Sequence, residues 1–168
     1  ETFFVANGFS EVINFPFTSI KKQKSINIDN PLDSTRENFR IDLKESLINN
    51  LLYNERRQRE SIKLFEISDI YKKDSEIKYQ KKLGLIISGR LGNNYKEFSK
   101  KLDDKYLNEL LNKNFNENIF EITEIDRNSL ETKKKDKIYY VEIPLQEIPD
   151  RFFLNLDTNK KPINFITY

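Results

Sequence analysis

Apolar residues in this chain recur with three different spacings, and each spacing predicts a different element. Over 43–57, Leu43, Leu47 and Leu51 return every fourth residue while Ile48 and Leu52 widen the stripe, which predicts an amphipathic helix running to about Arg57. Asp42 with Glu45 three residues on has the form of a helix cap with a reciprocal acidic partner. A second helix follows Asp103 or Asp104, either of which can cap it, with Tyr106, Leu107, Leu110 and Leu111 turned inward. Alternating, β-branched and aromatic runs predict strands over 11–17, 62–71, 119–125 and 138–143, and a short half-buried one carrying Ile26 and Ile28. The unbroken apolar run over 83–88, closed by Gly89, predicts a central strand buried on both faces.

Punctuation fits between these runs. Thr2 to Asn7 reads as the last turn of a helix stopped by Gly8, so an upstream helix is expected to be cut short at residue 1. Asp29-Asn30-Pro31 is a turn signal, Lys21 to Lys24 a charged connector, and Lys133-Lys134-Lys135 reads as a solvated hairpin tip rather than a phosphate-binding patch. From Pro144 onward, Pro149 and Pro162 stand among the isolated aromatics Phe152, Phe153 and Phe165 with no sustained period. The expected organisation is one α+β domain over 1–143, a mostly antiparallel sheet flanked by helices, followed by a linker over 144–168.

Composition narrows the chemistry. The 168 residues suit one domain with a real core. Hydrophobic residues make up only 37%, but 13 Phe and 8 Tyr deliver that content in large units of about 150–250 Å² each. Cysteine and histidine are both absent, which removes disulfides, thiolate nucleophiles, Cys/His zinc sites and imidazole acid–base catalysis. The net charge of +2 does not by itself demand a nucleic-acid partner. No run approaches the roughly 18 apolar residues of a membrane span, and the expected location is the cytoplasm.

Read in order, the landmarks resemble the β subunit of bacterial phenylalanyl-tRNA synthetase, in its catalytic-like core of class II synthetase fold. Gly8-Phe9-Ser10-Glu11-Val12 looks like the family's Gly-aromatic-x-Glu-Val signature, Asn30-Pro31-Leu32-Asp33 like its Asn-Pro-Leu turn, and Phe39-Arg40-Ile41-Asp42-Leu43 like its Leu-Arg-x-Ser-Leu helix entry. Leu64-Phe65-Glu66-Ile67-Ser68 matches Leu-Phe-Glu-Ile-Gly with Ser68 in place of glycine, and Leu83-Gly84-Leu85-Ile86-Ile87-Ser88-Gly89 looks like the family's buried strand. The order and spacing of these motifs from Gly8 to about Leu111 carry the resemblance; the chain then stops near where the family's anticodon-binding domain begins.

The resemblance implies a scaffold without catalytic residues. A catalytic relative holds ATP through a motif 2 arginine and a glycine-rich motif 3 ending in a second arginine. Here the motif 2-like strand ends Tyr71-Lys72-Lys73, and Gly89-Arg90-Leu91-Gly92 lies too early for motif 3 and reads as a strand-ending turn. Lysine lacks the planar fork that grips a phosphate bidentately. No catalytic, cofactor or metal residue is therefore expected here, although the parent ligase uses ATP and Mg. The implied partner is the catalytic α subunit, in an (αβ)₂ assembly that attaches phenylalanine to tRNA. The expected docking residues are Phe4, Phe9, Glu11, Phe15 and Phe17, with Phe9 projecting at the helix-to-strand corner. The alternative is a tRNA contact through Arg56, Arg57 and Arg59.

Overall fold

The structure is a computed structural model and describes residues 1–92, 99–113, 115 and 119–145. Its elements run α1 (Thr2–Ala6), β1 (Ser10–Glu11), β2 (Phe17–Thr18), β3 (Asn38–Phe39), α2 (Lys44–Arg56), β4 (Ser61–Lys73), β5 (Ile77–Gly89), α3 (Asp104–Asn112), β6 (Thr123–Ile125) and β7 (Ile138–Pro144). Five strands form one sheet in the order β1-β4-β5-β7-β6, while β2 and β3 pair as a separate antiparallel ribbon. Within the large sheet β1 runs parallel to β4 and every other pairing is antiparallel, so the sheet is mixed and mostly antiparallel. The α+β expectation holds, with the parallel edge strand as an addition.

The unbroken apolar run of β5 follows from its central place, since β4 and β7 flank it and helices cover both faces. Phe65, Leu85 and Val141 lie in register on one face and pack with Phe4, Phe9, Leu107 and Leu111 from the N-terminal segment and α3. Leu64, Ile86 and Tyr140 lie on the other face against the Leu43, Leu47 and Leu51 stripe of α2. The period-four stripe predicted the helix and also its buried side.

Gly84 sets how closely α2 approaches. A Cβ there would lie 2.8 Å from Leu47 Cδ1 and 3.1 Å from Leu43 Cβ, so the helix rests on bare backbone. Gly8, at φ +79°, closes α1 in the left-handed conformation expected of it. Asp103 caps α3 by accepting from the Tyr106 N–H at 2.9 Å, one of the two caps anticipated.

Several expectations are corrected. The cap of α2 is not a reciprocal box: Asp42 accepts from Lys44 N at 3.2 Å, but Glu45 turns to the Thr18 hydroxyl at 2.8 Å. The N–H of Leu43, the first residue of the stripe, donates instead to Glu142 on β7, 2.9 Å away. The span 11–17 is not one strand, because only its start pairs with β4 and Phe17 joins the ribbon. The segment with Ile26 and Ile28 makes a single bridge, Asn27 to Asn38. The lysine triplet lies, as expected, in the connection of the antiparallel β6–β7 hairpin, but that connection is long, spanning 126–137 with a 3₁₀ turn at Arg127–Ser129. The expected linker beyond residue 145, with Pro149, Phe152, Phe153, Pro162 and Phe165, lies outside the described residues. Among the described residues no helix is long and apolar enough to cross a membrane.

Candidate interaction surface

The edge of the sheet is built from a chain segment whose inward and outward positions are chemically reversed. After β1, Val12 donates its N–H to the Phe65 carbonyl at 2.8 Å, and the chain then leaves the ladder toward Pro16, which has no N–H to give. Asn14 turns inward, where its amide donates to Glu66 Oε2 at 2.8 Å and its side-chain carbonyl accepts from Asn50 of α2 at 2.8 Å. Its neighbours Ile13 and Phe15 consequently turn outward and are 93% and 69% exposed. A segment folding only for its own core would bury the isoleucine and phenylalanine and expose the asparagine. The Arg36 guanidinium stands 5.1 Å from the Phe15 ring centre, and Leu32 on the adjoining loop is also exposed.

An ion pair beneath the segment enforces this reversal. Glu66 on β4 is 1% exposed and Arg40 is 3% exposed, and Arg40 Nη2 donates to Glu66 Oε1 at 2.6 Å. Arg40 Nη1 donates to Ser46 of α2 at 2.9 Å, and the Arg40 backbone N–H reaches the Pro16 carbonyl at the same distance. The ribbon is set against the sheet by a run of tilted ring contacts, Phe17 to Phe39 at 5.3 Å and Phe39 to Tyr71 at 5.0 Å.

Of the residues expected to dock a partner, the structure leaves some outside and takes others in. Phe4 and Phe9 are 1% and 3% exposed and pack edge-to-face at 5.8 Å, with Phe4 also 5.3 Å from Phe65. The expectation that Phe9 projects is overturned: Gly8 reverses the chain, so that the Phe9 N–H bonds the Phe4 carbonyl and the ring turns into the core. Phe17 is half-buried against the Phe39 ring. Phe15 and Glu11 are exposed, and partial burial, helped by the charge of Glu1, pushes the Glu11 carboxyl above the usual carboxylate range. Sequence reasoning missed Ile13 and Leu32, although Val12-Ile13-Asn14-Phe15 already held the signal in its unbalanced alternation.

The expected nucleic-acid residues are all exposed. Arg57 stacks on the Tyr53 ring at 3.4 Å, and the Arg59 carbonyl accepts from Lys134 at 2.6 Å. Arg56 lines a cavity of about 280 Å³ together with Lys133 and Lys134, so the structure joins two charge runs that the sequence keeps far apart. Under α2, Leu47 fills the sheet face at Gly84, and Tyr140 donates to Glu142, which also pairs with Lys82. Burial and the Glu142 charge push the Tyr140 phenol far above its ordinary value. Among the described residues no three His, Cys, Asp or Glu side chains are grouped to hold a metal.

The fold is similar to the structure of Desulfitobacterium hafniense PylSc, a pyrrolysyl tRNA synthetase, with a TM-score of 0.51 and 16% identity over 86% of this chain and 63% of that one. At the level of sequence the match is to the phenylalanyl tRNA synthetase beta chain CLM domain, whose family model covers residues 1–141, and the chain belongs to that family. The phenylalanine–tRNA ligase beta subunit of Mycoplasma mycoides is 28% identical over 138 residues, 77% of this chain and 17% of that protein. That of Aquifex aeolicus is 30% identical over 97 residues, 54% of this chain and 12% of its own length, and that of Blochmanniella floridana 33% over 73 residues, covering 39% and 9%. The chain thus spans less than a fifth of the relatives it matches.

Proposed function

We propose that this domain is the non-catalytic core of a phenylalanine–tRNA ligase β subunit, with a class II synthetase-like sheet, and that it supports assembly with the catalytic α subunit. The observation that carries the reading is the reversed edge segment, which spends an asparagine on the interior and turns Ile13 and Phe15 outward. An exposed apolar cluster pinned by a buried ion pair suits a protein interface better than solvent.

The ATP and Mg of the parent reaction do not fit here. Arg40, which lies beneath β4, is committed to Glu66 and Ser46, Lys72 and Lys73 stand at the hairpin end, and α2 occupies the sheet face over Gly84. A phosphate would find both terminal nitrogens of the Arg40 guanidinium already engaged and the sheet backbone at Gly84 covered.

The test is made in the full-length β subunit. Phe15→Asp and Ile13→Asp should leave circular dichroism unchanged while weakening co-purification with the cognate α subunit. A central aromatic is worth 2 kcal/mol or more, about thirtyfold in affinity. Normal assembly by folded variants would remove this edge as the docking surface.

A further inference from the structure

We infer that the free edge of β5, where the β4–β5 hairpin outruns the rest of the sheet, is a docking site for an acidic, extended protein segment that joins the sheet as a further strand. The site lies away from the Ile13 and Phe15 surface and does not rest on assembly with an α subunit.

The sheet narrows toward the hairpin. β4 and β5 pair without a break from Ser61↔Gly89 to Lys73↔Ile77, but β7 ends with Pro144 opposite Lys82. Residues 77–81 of β5 therefore lie past the end of their neighbour and form a two-stranded arm with 69–73 of β4. The β4 side of this arm is closed by the chain itself. Tyr71 N–H donates to the Arg40 carbonyl at 3.2 Å and Lys73 N–H to the Lys24 carbonyl at 2.9 Å.

Those two bonds fix the direction of the main chain across the arm. Because Tyr71 and Lys73 turn their N–H groups away from β5, Tyr71↔Tyr79 and Lys73↔Ile77 are the non-hydrogen-bonded pairs of the ladder, and Ile77 and Tyr79 turn their own polar groups away from β4. The Asp74 N–H, which donates to the Glu76 carbonyl at 3.2 Å, closes the turn in the manner such a terminal pair requires. Two N–H groups and two carbonyls of β5 thus face the space beyond Pro144 without a partner among the described residues. The side chains there are apolar as well: Ile77 is 63% and Tyr79 73% exposed. Open main chain beside exposed apolar side chains is the template that strand addition uses.

Charge selects the occupant. Lys72 and Lys78 stand directly opposite each other in the register, and like charges so placed destabilise a sheet. The carboxylates of the arm are engaged elsewhere, Asp74 with Lys24 at 2.7 Å and Asp69 across the ladder from Lys81. Lys82 is matched by Glu142. Lys72, Lys73 and Lys78 are left with Glu76 as their counterweight. In an added strand the side chains alternate, so residues beside Ile77 and Tyr79 share one face and the residue beside Lys78 takes the other. Apolar residues alternating with Asp or Glu suit both faces and relieve the Lys72–Lys78 repulsion. A second copy of the chain would bring another lysine-bearing edge to the same place, so self-pairing is the poorer match.

The experiment mixes the 168-residue chain with a fluorescein-labelled peptide of alternating glutamate and valine, about eight residues long. Fluorescence anisotropy reads binding, and amide hydrogen exchange at Ile77 and Tyr79 reads main-chain pairing. Both amides should exchange freely in the chain alone and slow by about tenfold or more with peptide bound. A peptide of the same composition with its glutamates grouped at one end should bind about tenfold more weakly, because it keeps the charge and loses the alternation. Tyr79→Pro removes an N–H that bonds nothing within the arm, so the fold is kept while affinity falls about tenfold. Lys78→Glu puts opposite charges across from each other at Lys72, which favours the arm, yet it repels the peptide and should also lower affinity by about tenfold or more. Lys133→Glu, the same change of charge on the β6–β7 connection, is the control and should bind as wild type does. Circular dichroism checks that every variant is folded. The inference is overturned by absence of peptide binding, by protection of both amides in the chain alone, by self-association that protects them, by equal binding of the grouped peptide, or by unchanged affinity in Tyr79→Pro or Lys78→Glu.

Discussion

Replacing Glu66 by glutamine keeps the shape of the residue beneath the edge segment and removes its charge, which isolates what the buried pair does. Glu66 accepts from Arg40 Nη2 at 2.6 Å and from the Asn14 amide at 2.8 Å, so both carboxylate oxygens face donors. A glutamine offers one acceptor and one donor group; one of the two neighbours must then face an N–H, and the Arg40 guanidinium loses its counter-charge at 3% exposure. Removing one partner of a buried pair costs roughly 3–5 kcal/mol. Arg40 Nε already finds no acceptor among the described residues, so the pair is incompletely solvated by protein and its own net stabilisation is small. Arg40→Met with Glu66→Leu should therefore recover part of the loss, leaving about 1–3 kcal/mol for the orphaned Asn14 amide. Urea unfolding followed by circular dichroism gives the free energies, and hydrogen exchange at Val12 and Asn14 should accelerate in both variants. A Glu66→Gln change below about 1 kcal/mol, or a double variant as damaged as the single one, would refute the reasoning.

Two further predictions concern the helix and the sheet beneath it. Leu47→Ala should destabilise by about 2–5 kcal/mol and Gly84→Ala by about 1–3 kcal/mol, but together by clearly less than the sum, because Leu47 Cδ1 is the atom that a new methyl at position 84 would meet; additivity within about 0.5 kcal/mol in urea unfolding would place α2 elsewhere. Tyr140 keeps its proton in the folded state well above the ordinary phenol value of about 10, so above that pH the unfolded chain binds fewer protons and stability falls as pH rises, by up to about 1.4 kcal/mol per pH unit. Urea midpoints between pH 9 and 11 should decline less steeply for Tyr140→Phe than for wild type, and equal slopes would contradict the buried phenol.

What the sequence made legible were the features that repeat within a few residues: the α2 stripe, the apolar run of β5, the Asp103 cap and the Gly8 stop. What it hid were partners far apart in the chain. Asp42 and Glu45 have a capping spacing, but Glu142, 99 residues from Leu43, takes the N–H at the head of the helix, and Glu45 turns to Thr18. Phe4 and Phe9 looked surplus to a short segment because Phe65, the ring that completes their cluster, lies on β4.

The same limit governs both candidate surfaces, and it acts on them in opposite directions. At the sheet edge, the aromatic count could not separate the outward ring of Phe15 from the buried rings of Phe4 and Phe9, since counting ignores which side of the backbone Asn14 holds; once Glu66 fixes Asn14 inward, Ile13 and Phe15 are forced out by the alternation of an extended chain. At the other corner, Lys133-Lys134-Lys135 read as ordinary solvated charge because its neighbours in sequence give it no context. The context is Glu55, which holds Arg127 and Thr132 while the next residue, Arg56, faces the lysines. In each place a single buried carboxylate, Glu66 or Glu55, decides which neighbouring side chains reach the surface. Substituting the carboxylate should therefore disturb a surface that it does not itself touch.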